Sequence, residues 1–113
     1  MEISHKGFIS DYADNAPSIE QLSCLDGFAL IEFGTPWCGI CQAAQPVIKQ
    51  VLGEHPDLLH LKIYDGKGKP LGRAFQVKLW PTLILLNNGK EVARLVRPVR
   101  ADDVRALLAK SRD

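Results

Sequence analysis

The sequence predicts an α/β domain with a central mixed sheet, a parallel core and an antiparallel C-terminal hairpin, flanked by helices on both faces. Three observations carry that prediction. Apolar runs of strand length alternate with segments of helical periodicity, in the order βαβαβαββα. The run Phe28-Ala29-Leu30-Ile31-Glu32-Phe33 is apolar almost throughout, as expected of a strand covered on both faces. Asn88-Gly89 stands between two further apolar runs and signals a tight hairpin, because both residues tolerate positive φ.

The chain of 113 residues reads as a single domain, 1–113, long enough to bury roughly two thirds of its surface on folding without staples. Its formal net charge of +1 argues for neither nucleic acid nor an anionic membrane as partner. No apolar run approaches the roughly 18 residues of a membrane span. Met1-Glu2-Ile3-Ser4-His5-Lys6 has neither an apolar signal-peptide core nor a small-residue cleavage site. Three cysteines are too few, and odd in number, for a secreted disulfide scaffold. A cytosolic location is the expectation.

Taken in order, residues 3–9 predict a short edge strand. Asp14 or Asn15 caps a first helix with Pro17 in its first turn, running through Ile19, Leu22 and Leu25 to a stop at Gly27. Cys24 falls within that helix as a small buried hydrophobe. After the strand at 28–33, a second helix spans about 39–53, with Ala44, Val47, Ile48, Val51 and Leu52 at helical spacings. Pro46 inside it predicts a kink. Residues 58–64 form the third strand, 65–70 a turn-rich loop, and 71–75 a short helix. Strands at 81–86 and 91–96 flank the hairpin turn, and an amphipathic helix over 101–111 turns Val104, Leu107 and Leu108 inward.

The chemistry concentrates in Thr35-Pro36-Trp37-Cys38-Gly39-Ile40-Cys41, where the second strand hands over to the second helix. Cysteines three apart at a helix start share one side of its first turn and suggest a dithiol that closes into a disulfide. The first sits among unpaired backbone N–H groups at the positive end of the helix dipole, a setting that favours a thiolate. A structural pair or half of a zinc site is the alternative, and a zinc site needs two more ligands. Cys24, His5, His55 and His60 are scattered, with no second Cys-X-X-Cys. An Fe–S site lacks cysteines for the same reason.

Trp37-Cys38-Gly39-X-Cys41, joined to Pro46 in the following helix, Pro81-Thr82 some forty residues on and the Asn88-Gly89 hairpin, resembles the thioredoxin family. The resemblance covers the chain from about residue 15 onward and implies the thioredoxin fold. It implies that Cys38 is the nucleophile, that Cys41 resolves, and that the Trp80–Pro81 bond is cis. The family buries an acid beneath the dithiol; Glu32, six residues before Cys38, takes that place, with Glu where Asp is usual. An ionised acid in an otherwise apolar strand is costly without a partner, which suits Glu32 as proton acceptor for Cys41. Lys62 approximates the family's lysine beside that acid, though a one-residue slip in strand register turns it away.

The departures lie around the site. Ile40 replaces the usual proline between the cysteines, where residues help to set the reduction potential. Gly34 stands where a second tryptophan is frequent. Arg97-Pro98 replaces a Gly-Ala pair, and Trp80 is bulkier than the usual residue before the cis-proline. Trp37, Gly39, Ile40, Trp80 and Arg97 are the expected substrate-facing rim, with the backbone beside Pro81 pairing with an extended substrate segment. The function implied is reduction of protein disulfides by dithiol–disulfide exchange, in a monomer, with no metal, flavin or nucleotide in this chain and electrons from a thioredoxin reductase. Two alternatives stand beside it: a redox-sensing or partner-binding module, and a disulfide oxidase or isomerase in an exported protein.

Overall fold

The computed structural model describes residues 5–112. Its elements are β1 (His5–Lys6), α1 (Ile19–Ser23), β2 (Phe28–Gly34), α2 (Gly39–Leu52), β3 (Leu59–Tyr64), α3 (Pro70–Ala74), β4 (Thr82–Asn87), β5 (Lys90–Val96) and α4 (Ala101–Ala109). A 3₁₀ turn over Lys110–Arg112 ends the last helix one turn tighter than an α-helix. Residues 3 and 4 of the expected first strand lie outside the described residues. Of 5–9, His5 and Lys6 hold the sheet edge as expected, but Gly7 turns the chain with φ of 78° and the strand ends before it, so 7–9 are not part of it.

The sheet order is β1-β3-β2-β4-β5, so the apolar β2 is central. Among the named strands of the described residues, β2 and β3 pair in parallel, β1 runs antiparallel to β3, β4 antiparallel to β2, and β5 antiparallel to β4. Apolar side chains of β2 alternate between two cores. Leu30 joins Ile48, Leu52, Leu83 and Leu108 on the α2–α4 face, and Ile31 and Phe33 join Leu22, Leu61 and Ile84 on the other. Strands sandwiched in this way need apolar residues at almost every position, which is why β2 and β4 read as continuous runs.

α1 is shorter than expected and starts later. Ser18, not Asp14 or Asn15, caps it: Ser18 Oγ accepts from the Gln21 N–H, and Gln21 Oε1 accepts from the Ser18 N–H. That reciprocal capping box outcompetes the upstream Asx residues and leaves Pro17 outside the helix. Cys24 is not a buried hydrophobe within α1 but its exposed C-cap. α2 matches the expected span, ends at the C-cap Gly53 and carries Pro46 inside.

The β4–β5 turn is the expected left-handed pair, with φ of 52° at Asn88 and 81° at Gly89. It is also tied to the start of β2. Gly27 N–H donates to Asn88 Oδ1 at 2.7 Å and Asn88 N–H to the Gly27 carbonyl at 2.8 Å. One segment has no counterpart among the expected elements. Residues 10–13 cross the end of β3, where Ala13 forms an isolated parallel bridge with Ile63.

Candidate active site

β2 ends at Gly34, and the chain turns through Thr35 and Pro36 to place Cys38 as N-cap of α2. Cys38 Sγ accepts a hydrogen bond from the Cys41 N–H at 3.2 Å, so the first sulfur occupies one of the donors left open at the helix start. Cys38 is half-buried, whereas Cys41 is only 1% exposed. Both are reduced. Burial above all, then the hydrogen bond with Cys38, pushes the Cys41 thiol up to about 11; the Thr35 backbone and the Tyr12 hydroxyl pull the other way. The two sulfurs are thus unequal: one meets solvent, the other holds its proton beneath it.

Glu32 is fully buried on the face of β2 that points to α2, and it has partners. Glu32 Oε2 accepts from Gln45 Nε2 at 2.9 Å, one helical turn beyond Cys41, and Oε1 lies 2.9 Å from His60 Nε2. The Ile9 N–H donates to His60 Nδ1 at 3.0 Å, which leaves the ring proton on Nε2 and makes His60 a neutral donor to Glu32. Lys62 stands directly opposite Glu32 in the β2–β3 register and faces the same side, which answers the question of its register. Its Nζ reaches Glu32 through Gln45, donating to Gln45 Oε1 and to the Ser10 carbonyl. Burial pushes the Lys62 ammonium down, with Glu32 the largest opposing influence.

The rim gathers the other expected residues. Trp37, 65% exposed, stands edge-on to Trp80 with ring centres 5.7 Å apart, and their indole N–H groups donate to Tyr64 Oη and Asp65 Oδ2. Gly39 opens α2 in free space, and Ile40 beside it is 45% exposed. The Trp80–Pro81 peptide is cis. Arg97 adopts φ of 53°, donates its backbone N–H to the Pro81 carbonyl, and sets its Nε 2.9 Å from the Trp80 carbonyl. One acceptor on the edge expected to meet substrate therefore already carries a side-chain donor.

Three site residues were not singled out from the sequence: Gln45, His60 and Tyr12. The first two have a signal in retrospect, since Gln45 is four residues past Cys41 on a helix and His60 shares a strand face with Lys62. Among the described residues no group of three or more His, Cys, Asp or Glu is placed to hold a metal ion.

A half-buried thiol capping a helix, a buried partner thiol one turn on, a buried acid below and a cis-proline beside them define a dithiol protein of α/β type. The comparisons with known proteins agree. The family model described as Thioredoxin matches residues 17–110. A thioredoxin of Chlamydia trachomatis is 36% identical over 89 residues, spanning 78% of this chain and 86% of its own. Thioredoxin H2-1 of rice is 34% identical over 67 residues, 59% of this chain, which spans only about half (49%) of that longer relative. A bifunctional thioredoxin reductase/thioredoxin of Mycobacterium leprae is 35% identical over 68 residues, 59% of this chain and 15% of its own. Among solved structures, reduced thioredoxin 2 from Pseudomonas aeruginosa superposes with a TM-score of 0.82 at 48% identity, covering 92% of this chain and 97% of that one. This chain belongs to the thioredoxin family.

Proposed function

We propose that this protein is a thiol–disulfide oxidoreductase that reduces protein disulfides through Cys38 and Cys41. The observation that carries it is the unequal exposure of two reduced cysteines at the start of one helix. Cys38, the accessible sulfur, attacks a substrate disulfide and forms a mixed disulfide, releasing one substrate thiolate. Cys41 then loses its proton toward the buried network, with Glu32 as acceptor, and attacks Cys38 Sγ. The Cys38–substrate bond breaks, the Cys38–Cys41 disulfide forms, and the second substrate sulfur leaves as a thiolate that takes a proton from water. Two electrons pass from the dithiol to the substrate.

Trp37, Gly39, Ile40, Trp80 and Arg97 form the surface that receives the substrate, and the largest exposed apolar side chains beside the cysteines belong to it. A thioredoxin reductase returns the disulfide to the dithiol; the fused reductase/thioredoxin relative supports that choice of donor. The protein acts as a monomer in a reducing compartment, the cytoplasm, in keeping with its three cysteines and near-neutral charge. No helix among the described residues is long and apolar enough to cross a membrane.

Reduction of insulin's interchain disulfides by the dithiol protein tests this. Cys38→Ser abolishes the reaction, and Cys41→Ser accumulates a mixed disulfide between Cys38 and the substrate, seen by mass. Undiminished insulin reduction by the Cys38→Ser protein overturns the proposal.

A further inference from the structure

The Tyr12 hydroxyl is buried, and among the described residues it has no hydrogen-bond partner of ordinary geometry. A buried hydroxyl left unpaired is costly, so its presence asks for a use. Its position gives one. A Cβ built on Gly34 would stand 2.8 Å from Cys41 Sγ and 2.9 Å from Tyr12 Oη. The resolving sulfur and the hydroxyl therefore converge over the bare backbone of Gly34, in the space that any side chain at 34 would take.

Tyr12 is held there by independent contacts. Next to it, the Ala13 N–H donates to the Lys62 carbonyl at 2.7 Å and the Tyr64 N–H to the Ala13 carbonyl at 3.0 Å. The Lys62 ammonium lies 4.6 Å from the centre of the Tyr12 ring while it holds the Ser10 carbonyl. Segment 10–13 is thus strapped across the end of β3 by backbone pairing and by a buried cation. The hydroxyl keeps its proton: burial, then the nearby Glu32 and Cys41, push the phenol well above its ordinary range. It is a standing donor beside an atom that must become an anion.

We propose that the Tyr12 hydroxyl donates a hydrogen bond to the Cys41 sulfur as it becomes a thiolate, and so speeds the resolving step. This rests on the oxidoreductase function proposed above. In the resting dithiol Cys41 carries its own proton, and the hydroxyl stands near the sulfur without a hydrogen bond. When that proton leaves toward Glu32, the sulfur turns from a weak into a strong, charged acceptor, and the idle donor has its partner. Tyr12 keeps its proton throughout; the hydrogen bond is released as the Cys41 electron pair goes into the bond with Cys38. The other groups that bear on the Cys41 sulfur are Cys38 of its own helix, the Thr35 backbone, and Lys62 of β3, while Glu32 of β2 acts on Tyr12 and Lys62. Tyr12→Phe alters one of these influences directly and keeps the ring that fills the space.

The experiment is a single turnover of the reduced full chain carrying Cys24→Ser, so that the exposed third thiol adds no release of its own, with a symmetrical aromatic disulfide whose thiolate is coloured. The first thiolate released reports attack by Cys38, and the second reports resolution by Cys41. In Tyr12→Phe the first phase is unchanged and the second is about threefold slower at neutral pH: a rise of roughly one pKa unit cuts the thiolate fraction about tenfold, while the more basic thiolate is about threefold more nucleophilic. Its rate rises with pH along a profile displaced upward by about one unit. The melting temperature of the dithiol form is not lowered, because the hydroxyl removed had no partner to lose. A second phase of unchanged rate and pH profile, or equal slowing of both phases, overturns the role of Tyr12. A second phase that survives Cys41→Ser in the same Cys24→Ser chain with Tyr12 unaltered overturns the oxidoreductase mechanism beneath it.

Discussion

Around Glu32 the direction of every hydrogen bond follows from which atoms can donate. Lys62 has only donors, so Gln45 must offer it Oε1 and turn its amide N–H to Glu32 Oε2. The Ile9 N–H fixes Nδ1 of His60 as acceptor, so Nε2 gives its proton to Glu32 Oε1. Both donors converge on a group that only accepts when ionised. Glu32→Gln breaks this order while keeping the volume: one atom of the new amide becomes a donor and faces either His60 Nε2–H or Gln45 Nε2–H. Rotating Gln45 to avoid the conflict points its amide N–H groups at Lys62. The expected outcome is a loss of about 1–3 kcal/mol in urea unfolding, the cost of a buried donor without a partner. Release of the mixed disulfide is slowed more than its formation, because only release uses Glu32 as proton acceptor. Unaltered stability counts against the network, and equal slowing of both steps counts against the proton role.

At the scale of elements, the hairpin turn does more than reverse the chain. Gly89 has φ of 81°, and a Cβ there would collide with the backbone of Leu22 and Ser23 at the end of α1. Gly89→Ala therefore combines a strained backbone with a steric clash against an immovable neighbour. It is expected to cost well over the ~1 kcal/mol of an ordinary glycine replacement, measured as a drop in the urea midpoint. A change within 0.5 kcal/mol would show that α1 yields at that contact.

These elements also show what the sequence made legible. β2, α2, the hairpin and α4 announce themselves through periodicity, which is a repeated statement of one burial pattern. α1 was misplaced because three candidate caps lie within five residues, and only the reciprocal Ser18–Gln21 bonds decide among them. The dithiol, Glu32, the cis-proline and the rim could be found from the motif and its neighbours. Tyr12 could not: it lies on an unpatterned crossing segment, and its place beside Cys41 depends on a backbone bridge 50 residues away in sequence. Parallel pairing likewise proved narrower than the βαβ alternation suggests, because β4 arrives antiparallel after the short α3.

For the whole molecule, the buried proton on Cys41 makes stability depend on pH in a definite direction. The unfolded thiol titrates near its ordinary value of 9.0, whereas the folded one holds its proton to about 11. Below about pH 9 both states carry the proton and the stabilisation is complete. Between about 9 and 11 the unfolded chain releases its proton first, so stability falls as pH rises. Tyr12, also pushed up by burial, acts in the same sense above about 10, while Lys62, pushed down, acts in the opposite sense below its ordinary 10.5. Unfolding of the reduced protein and of Cys41→Ala, compared from pH 8 to 11, isolates the thiol. The unaltered chain loses stability relative to the variant across that window; parallel curves would contradict the buried thiol.

The tie between the hairpin and the start of β2 also decides where this molecule tolerates additions. Loop tips are ordinarily the places where tags, inserted domains and new chain ends are accepted. Here the tip is bolted down: Asn88 exchanges hydrogen bonds with Gly27, and Gly89 rests on the end of α1. The other turn-rich connection, with open space at Gly66 and Gly68, follows Asp65, the residue that holds the Trp80 indole. Of its two most inviting attachment points, one is a structural joint and the other begins at the residue that holds a tryptophan of the dithiol's rim.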